Sequence, residues 1–269
     1  VINSCFIAEA ARTAQLEAPS IVLRPLPGTP GPSASFEPDR ALYPASMIKV
    51  PIAAALSVLW ASGGRRPGDR VRVEAAQLTA NDAPSPFVAG YETTLGEAAH
   101  AMIAASDNVA TNLLIDALDR ERITEICRHE LGLPSTAVRR KLSGALPLIE
   151  DPAATGRNAH PAADAAALFE TIERERTGRF AALHAALAAQ MWNGKLPAAL
   201  RAGDTFAHKT GDTDEASHDG GLLTLADGRR FVLVVYTGLA STPESDARVA
   251  AFGRLLREAL GDATVPANP

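Results

Sequence analysis

Apolar positions along this chain change their period twice. Near the start, Cys5, Phe6, Ala10, Thr13 and Leu16 recur at helical spacing across residues 3–16. Ile21-Val22-Leu23 then predicts a strand, closed by a Pro/Gly-rich loop over 25–32, with a second short strand near Ser35-Phe36. From about residue 46 to 190 the pattern is helical and rich in alanine. Thr94-Leu95-Gly96-Glu97 is a capping box, in which the threonine oxygen and the glutamate each satisfy an orphan N–H, and it opens a helix through Ile103. Another helix runs from Asn108 through Ala117 with Leu113, Leu114 and Leu118 inward, and Pro161 and Asp164 open a further one through Leu168 and Ile172. In the tail the period falls to two. Residues 205–210, 221–225 and 231–237 read as strands, with Asp227-Gly228 as a hairpin turn between the last two. Thr242-Pro243-Glu244 caps a final helix whose face is Val249, Phe252, Leu256 and Leu260, ending at Gly261.

Strands at both ends and helices between them predict an α+β fold. The expected architecture is an antiparallel sheet flanked by the two terminal helices, with an all-helical lobe inserted. Residues 1–45 and 193–269 would form the sheet lobe and 46–192 the helical lobe, with the active site in the cleft between them.

Composition narrows the function by exclusion. Apolar residues make up 46% and charged residues 21% of the 269, an ordinary soluble globular profile. A net charge of −5 leaves no electrostatic footprint for nucleic acid or an anionic membrane. Arg65-Arg66, Arg139-Arg140-Lys141 and Arg229-Arg230 read as solvated faces. No apolar run approaches the roughly 18 residues of a membrane span. The chain opens on Val1 rather than Met and has no signal-peptide pattern. The two cysteines, Cys5 and Cys127, are too far apart in sequence to suggest a metal cluster, and both are expected to be buried free thiols.

Three short motifs carry candidate chemistry. Ser46-Met47-Ile48-Lys49 follows Tyr43-Pro44-Ala45, and Pro44 disfavours helix just before it, so Ser46 falls at a helix N-cap or first turn. Lys49 shares its helix face. The run from Val50 to Leu59 is almost wholly apolar, the mark of a buried helix. Burial disfavours a charged lysine, which would fit Lys49 as the base that takes the Ser46 proton. The bland alternative is a capping serine and a snorkelling lysine. Ser106-Asp107-Asn108 contains three good N-caps. As chemistry, Ser106 would relay a proton to a leaving amine while Asn108 holds Lys49 and the substrate amide. Lys209-Thr210-Gly211 ends a predicted strand. Gly211 permits close backbone approach, Lys209 and Thr210 would bind a substrate carboxylate, and the Asp212 N–H would complete an oxyanion hole with that of Ser46. Otherwise this is a strand-end lysine and a turn glycine.

Each motif alone is common, but all three occur in the order and the local context of one family. With separations of 60 and 103 residues between Ser46, Ser106 and Lys209, the chain resembles a class A β-lactamase or class A-like serine hydrolase. Tyr-Pro-Ala-Ser-Met-Ile-Lys-Val-Pro around Ser46 is similar to that family's nucleophile helix. Ser-Asp-Asn-Val-Ala-Thr-Asn-Leu-Leu from Ser106 is similar to its second motif. His-Lys-Thr-Gly from His208 and His-Asp-Gly from His218 resemble its class A-like branch. The resemblance implies an exported enzyme that opens β-lactams through an acyl-Ser46 intermediate, without metal or cofactor. A monomer is expected.

Two departures bear on this. The family's loop Glu-X-X-Leu-Asn, whose glutamate activates the deacylating water, is absent. Between Pro134 and Pro161 the only acids are Glu150 and Asp151. Glu150 is the candidate for that base, the alternative being a solvated loop acid, and Asn158 is a candidate remnant of the loop's asparagine. His218 stands where many members place an arginine that grips the substrate carboxylate. It would do so only while protonated, or else it packs neutral against strand neighbours. A His218-Asp219 triad is disfavoured because adjacent strand residues point to opposite faces. The missing glutamate keeps other readings open: a D-alanyl-D-alanine peptidase or esterase, a penicillin-binding or sensor domain that acylates without turnover, and a silent binding module.

Overall fold

The computed structural model describes residues 1–261. Helix α1 (Ser4–Thr13) starts where Asn3 accepts the Phe6 N–H at 3.0 Å. It leads into strands β1 (Ser20–Pro25) and β2 (Ala34–Phe36). A single 3-10 turn, Ala45–Ile48, runs directly into α2 (Lys49–Ala61). A short ribbon, β3 (Arg70–Arg72) paired with β4 (Glu92–Thr94), precedes α3 (Leu95–Ala104). Then follow α4 (Asn108–Leu118), α5 (Arg120–His129), α6 (Ala162–Arg174) and α7 (Ala181–Ala188). Strands β5 (Thr205–Thr213), β6 (Ala216–Thr224) and β7 (Arg230–Tyr236) and helix α8 (Pro243–Leu260) close the fold.

The five long-range strands form one antiparallel sheet in the order β2-β1-β7-β6-β5. Alternation assigns its faces. Ile21, Leu23, Leu233 and Val235 pack with Ile7, Val249, Phe252 and Leu256 of α1 and α8. Val22, Val232, Val234 and Tyr236 pack the other way, against a core built from α2 to α7. Burying each such side chain contributes roughly 1.5–3 kcal/mol. The fold is therefore α+β, as the change of period predicts. The capping box at Thr94 is present in both directions, with Glu97 N–H on Thr94 Oγ1 at 3.2 Å and Thr94 N–H on Glu97 Oε2 at 3.1 Å.

Three details correct the sequence reading. The stretch expected to be wholly helical holds the β3–β4 ribbon, whose strands are only three residues each and too short for a period to show. Strands β5 and β6 extend beyond the expected 205–210 and 221–225, because residues 211–213 and 216–220 form ladder pairs despite their polarity. Cys127 is buried and Cys5 is exposed, on the outer side of α1. No helix among the described residues is long and apolar enough to cross a membrane.

Candidate active site

The edge strand β5 and the mouth of α2 meet at glycines. A Cβ on Gly211 would lie 3.0 Å from Pro44 O and 3.1 Å from Met47 Cγ, and one on Gly220 3.3 Å from Met47 Cε. The 3-10 turn carrying Ser46 thus packs directly on the strand backbone, which any side chain there would push away. Ala45, just before Ser46, has φ of 47°, a conformation costly for a residue with a Cβ and typical of functional turns.

Lys49 is fully buried at the first turn of α2. Its Nζ bonds Ser106 O at 2.6 Å, Asn108 Oδ1 at 2.7 Å and Ser106 Oγ at 3.1 Å. Burial, reinforced by the nearby Lys209 charge, holds its pKa well below the ordinary lysine value. Two of its partners, the Ser106 carbonyl and the Asn108 amide oxygen, can only accept. A neutral amine would give them its two hydrogens and turn its lone pair to the Ser106 hydroxyl.

Ser106 sits between α3 and α4 at φ of 60°, while Asp107 caps α4 through the Ala110 N–H at 2.8 Å. Asn108 is fixed on both sides. Its N–H reaches Asn81 Oδ1 at 2.6 Å and its Nδ2 donates to Ala80 O at 2.9 Å, leaving Oδ1 for Lys49. From β5, Lys209 Nζ donates to Ser106 Oγ at 2.9 Å and to Thr210 O at 2.9 Å. Burial pushes its pKa down to about 7. Ser46, Lys49, Ser106, Asn108, Lys209, Thr210, Gly211 and Asp212 therefore come together. Ser46 opens on two adjoining hollows of about 470 Å³ and about 650 Å³. The smaller is lined by Ser106, Thr210 and Asp212, the larger by Tyr43, Asn108 and Leu142.

The sequence model of the Beta-lactamase enzyme family matches residues 7–260. The chain belongs to the β-lactamase enzyme family. Solved structures agree in fold across nearly the whole length. PBP-A, as a leucine-to-glutamate mutant in acyl-enzyme complex with penicillin G, superposes with a TM-score of 0.82 at 22% identity, covering 96% of this chain and 97% of that one. A β-lactamase from Sphaerobacter thermophilus gives 0.80 at 24% identity, with 97% and 98% covered. An ancestral class A β-lactamase gives 0.79 at 24% identity, with 95% and 99% covered. No curated protein matches the chain by sequence.

Two expected site residues of this β-lactamase-family chain lie elsewhere. His218 is fully buried, stacked on Tyr236 with ring centroids 4.3 Å apart. Its Nε2 faces Tyr43 O at 2.8 Å and its Nδ1 accepts the Thr237 N–H at 3.1 Å. That arrangement is a neutral tautomer with both nitrogens in use, and burial pushes the pKa down to about 4. His218 thus lines neither hollow, and its ring packs against strand neighbours rather than facing the space beside Ser46. Glu150 is exposed and lines neither hollow. Its neighbour Asp151 is spent on Arg120, at 2.8 and 3.0 Å, and on the Lys141 N–H at 2.7 Å. Asn158 clamps the Arg139 and Arg140 N–H groups at 2.7 and 3.1 Å, so it shapes the loop. Leu142 lines the larger hollow together with Arg140, Ser143, Leu146, Leu148 and Arg157 of the same loop, and its backbone is pinned in both directions by Asn112 at 2.8 and 3.0 Å.

Sequence reasoning missed Lys195, Asp82, Ser241 and Asp246, all on the smaller hollow. Lys195 is almost fully buried, in contact with the Asp212 carboxylate, 3.6 Å from Asp246 Oδ1 and 3.3 Å from His218 O. These residues come from a turn, two loops and the first turn of α8, and no motif marks any of them. The His208 and Asp219 side chains, on the opposite face of β5 and β6 from Lys209, bond each other at 2.7 Å.

Proposed function

We propose that this chain is a serine hydrolase that opens β-lactams through an acyl-Ser46 intermediate. The observation that carries the reading is the convergence of Lys49 and Lys209 on one Ser106 oxygen beside Ser46. Neutral Lys49 turns its lone pair from the Ser106 hydroxyl to Ser46 and takes the Ser46 proton as Oγ attacks the lactam carbonyl. The Ser46 and Asp212 N–H groups receive the oxyanion. Lys49, now an ammonium, returns a proton through Ser106 to the leaving nitrogen, and the C–N bond breaks. We propose export, in keeping with a family whose members are often exported, and action as a monomer.

Deacylation needs a base that can reach a water in the larger hollow. Leu142 and the outward Glu150 supply none, whereas Asp82, Asp212, Asp214 and Glu215 line the hollow from other segments. If none of these serves, a second reading holds: a penicillin-binding or sensor protein, or a D-alanyl peptidase or esterase, on which a β-lactam adduct persists. Intact-mass measurement with benzylpenicillin, with Ser46→Ala as control, separates the two. An adduct that forms on Ser46 and decays to opened product supports the lactamase. A persistent adduct supports the second reading, and no adduct sinks both.

A further inference from the structure

Most large apolar side chains of the described residues are buried, but Met191 and Trp192 stand exposed side by side on the smaller hollow. Left in water, a tryptophan forgoes the burial of a large apolar face. The pair is nonetheless firmly held. Gln190 is buried, and its Nε2 donates to Ile103 O at 2.9 Å. Its Oε1 accepts the Met191 and Trp192 N–H groups at 2.9 and 3.1 Å. The Met191 N–H also reaches Ala104 O at 3.0 Å, and the Trp192 indole N–H donates to Ala105 O at 3.3 Å. The carbonyls of Ile103, Ala104 and Ala105 thus anchor the segment to the end of α3, directly before Ser106. An indole fixed in this way has little freedom left to lose when a ligand lies against it.

Another wall of the same hollow is β5. The Thr210 hydroxyl lines it and has no hydrogen-bond partner among the described residues. Lys209 stands next to it in the strand with Nζ on Ser106 Oγ at 2.9 Å. These are the groups that would take a substrate carboxylate. The Asp212 charge is offset by Lys195, which it contacts, and Asp212 also accepts the Ser241 hydroxyl at 2.6 Å. The leaving side of the hollow therefore offers a polar strand for an anion and, from the helical lobe, an apolar wall.

We propose that Trp192, with Met191, is a specificity-determining wall of the leaving side, selecting β-lactams whose leaving ring carries a flat apolar substituent. The inference rests on the acyl-Ser46 reading and adds a preference among its substrates. Ser106 meets the nitrogen that leaves, and Trp192 bonds the residue next to Ser106 in the chain. A ring attached to that nitrogen, with its carboxylate on Thr210, brings its far substituent to the indole. Offset or edge-on contact there forms on binding, before any bond changes, so it acts on the dissociation constant of the first complex. The limiting rate of acylation stays with Lys49 and Ser106.

Two cephem β-lactams with one shared phenylacetylamino group test it, one with methyl and one with benzyl at C3. The methylene keeps the phenyl ring out of conjugation, and hydroxide-catalysed opening rates correct for any difference in reactivity. In both, the Ser46 Oγ–C bond forms as the lactam C–N bond breaks, and a proton passes through Ser106 to the nitrogen. Adduct formation followed by intact mass at several concentrations gives the dissociation constant and the limiting rate. The benzyl compound should acylate about tenfold faster at low concentration, with the gain in the dissociation constant. Trp192→Ala should bring the ratio of the two compounds close to one, and Trp192→Phe should restore most of it. If Trp192→Ala does not fold, Trp192→Leu takes its place with the same expectation. A merely structural role for Trp192 would slow both compounds alike and keep their ratio. That result, or equal rates in the unaltered protein, overturns this inference and leaves the acyl-enzyme reading standing. Absence of any Ser46-dependent acylation, by either cephem and by benzylpenicillin alike, overturns both.

Discussion

Lys209 Nζ donates to Ser106 Oγ at 2.9 Å, joining the edge strand β5 to the loop between α3 and α4 across 103 residues of chain. On this arrangement the Ser106 hydroxyl is the junction of two buried amines. Lys49 must be neutral to take a proton, and its depressed pKa allows that. Lys209 places a positive charge beside that hydroxyl only while protonated, and burial lowers its pKa to about 7. A base loses its proton as pH rises, so the Lys209 contribution is present below that value and is lost above it. Acylation of Ser46 by benzylpenicillin should therefore fall as pH rises through about 7. Lys209→Met should slow acylation at neutral pH by roughly 10²-fold and remove the alkaline limb. Rate constants for adduct formation measured by mass across that pH range check it, and a limb that survives in Lys209→Met sinks the assignment.

Leu142 faces the hollow where a deacylating water would stand, on a backbone already pinned by Asn112. A carboxylate at this position would sit at the wall of the acyl group's own space. Leu142→Glu should shorten the life of a benzylpenicillin adduct by roughly 10²-fold, the usual effect of a positioned base. Glu150→Gln should leave that lifetime unchanged, because its side chain points to solvent. Following adduct decay by intact mass checks both, and an unaltered lifetime in Leu142→Glu would show that the loop cannot place a base.

The parts of this site legible in sequence were those carried by local spacing. Ser46 with Lys49, Ser106 with Asn108, and Lys209 with Gly211 are each a few residues apart, and the helix or strand period fixes their relation. Lys195, Asp82 and Asp246 depend on how distant loops pack over the edge of β5, which no period encodes. His218 was half legible. Its place on a strand next to Asp219 spoke against a triad, but its ring is held by Tyr43 O and the Thr237 N–H, 175 and 19 residues away. The fold was read more fully than the site, since alternation in β1 and β7 and the stripe of α8 name their own buried faces, whereas on α1 the buried face is Ile7, Ala10, Ala11 and Ala14 and the expected Cys5 and Thr13 are exposed. The β3–β4 ribbon escaped because three-residue strands hold too little pattern.

Cys5 and Cys127 have the same side chain in opposite settings. Cys5 is exposed on α1, whereas Cys127 is fully buried beneath α2 and burial pushes its thiol pKa up to about 12. Since the thiolate is the reactive form, only Cys5 should react in the folded protein. A thiol-reactive disulfide reagent should titrate one group in native protein and two after denaturation. Rapid modification of Cys127 without unfolding would contradict its burial.

His208 and Asp219 form a buried pair behind the catalytic face, and they tie down the segment that carries Lys195. The His208 ring bonds Asp219 Oδ1 at 2.7 Å and Asn193 Oδ1 at 3.1 Å, and Asp219 Oδ2 accepts the Leu196 N–H at 3.0 Å. Asn193 in turn donates to Gln190 O at 3.1 Å. Asp219→Ala would strand the His208 Nδ1 and the Leu196 N–H together in an apolar setting. The expected cost is about 3 kcal/mol or more of unfolding free energy. Lys49 and Ser106 do not touch this pair, so acylation of Ser46 by benzylpenicillin should fall far less than stability does. Urea unfolding gives the stability, and the rate of adduct formation by intact mass gives the acylation. A variant as stable as the parent would mean that water or a shifted side chain replaces Asp219. A folded variant that no longer acylates would mean that the pair also positions the acylating residues.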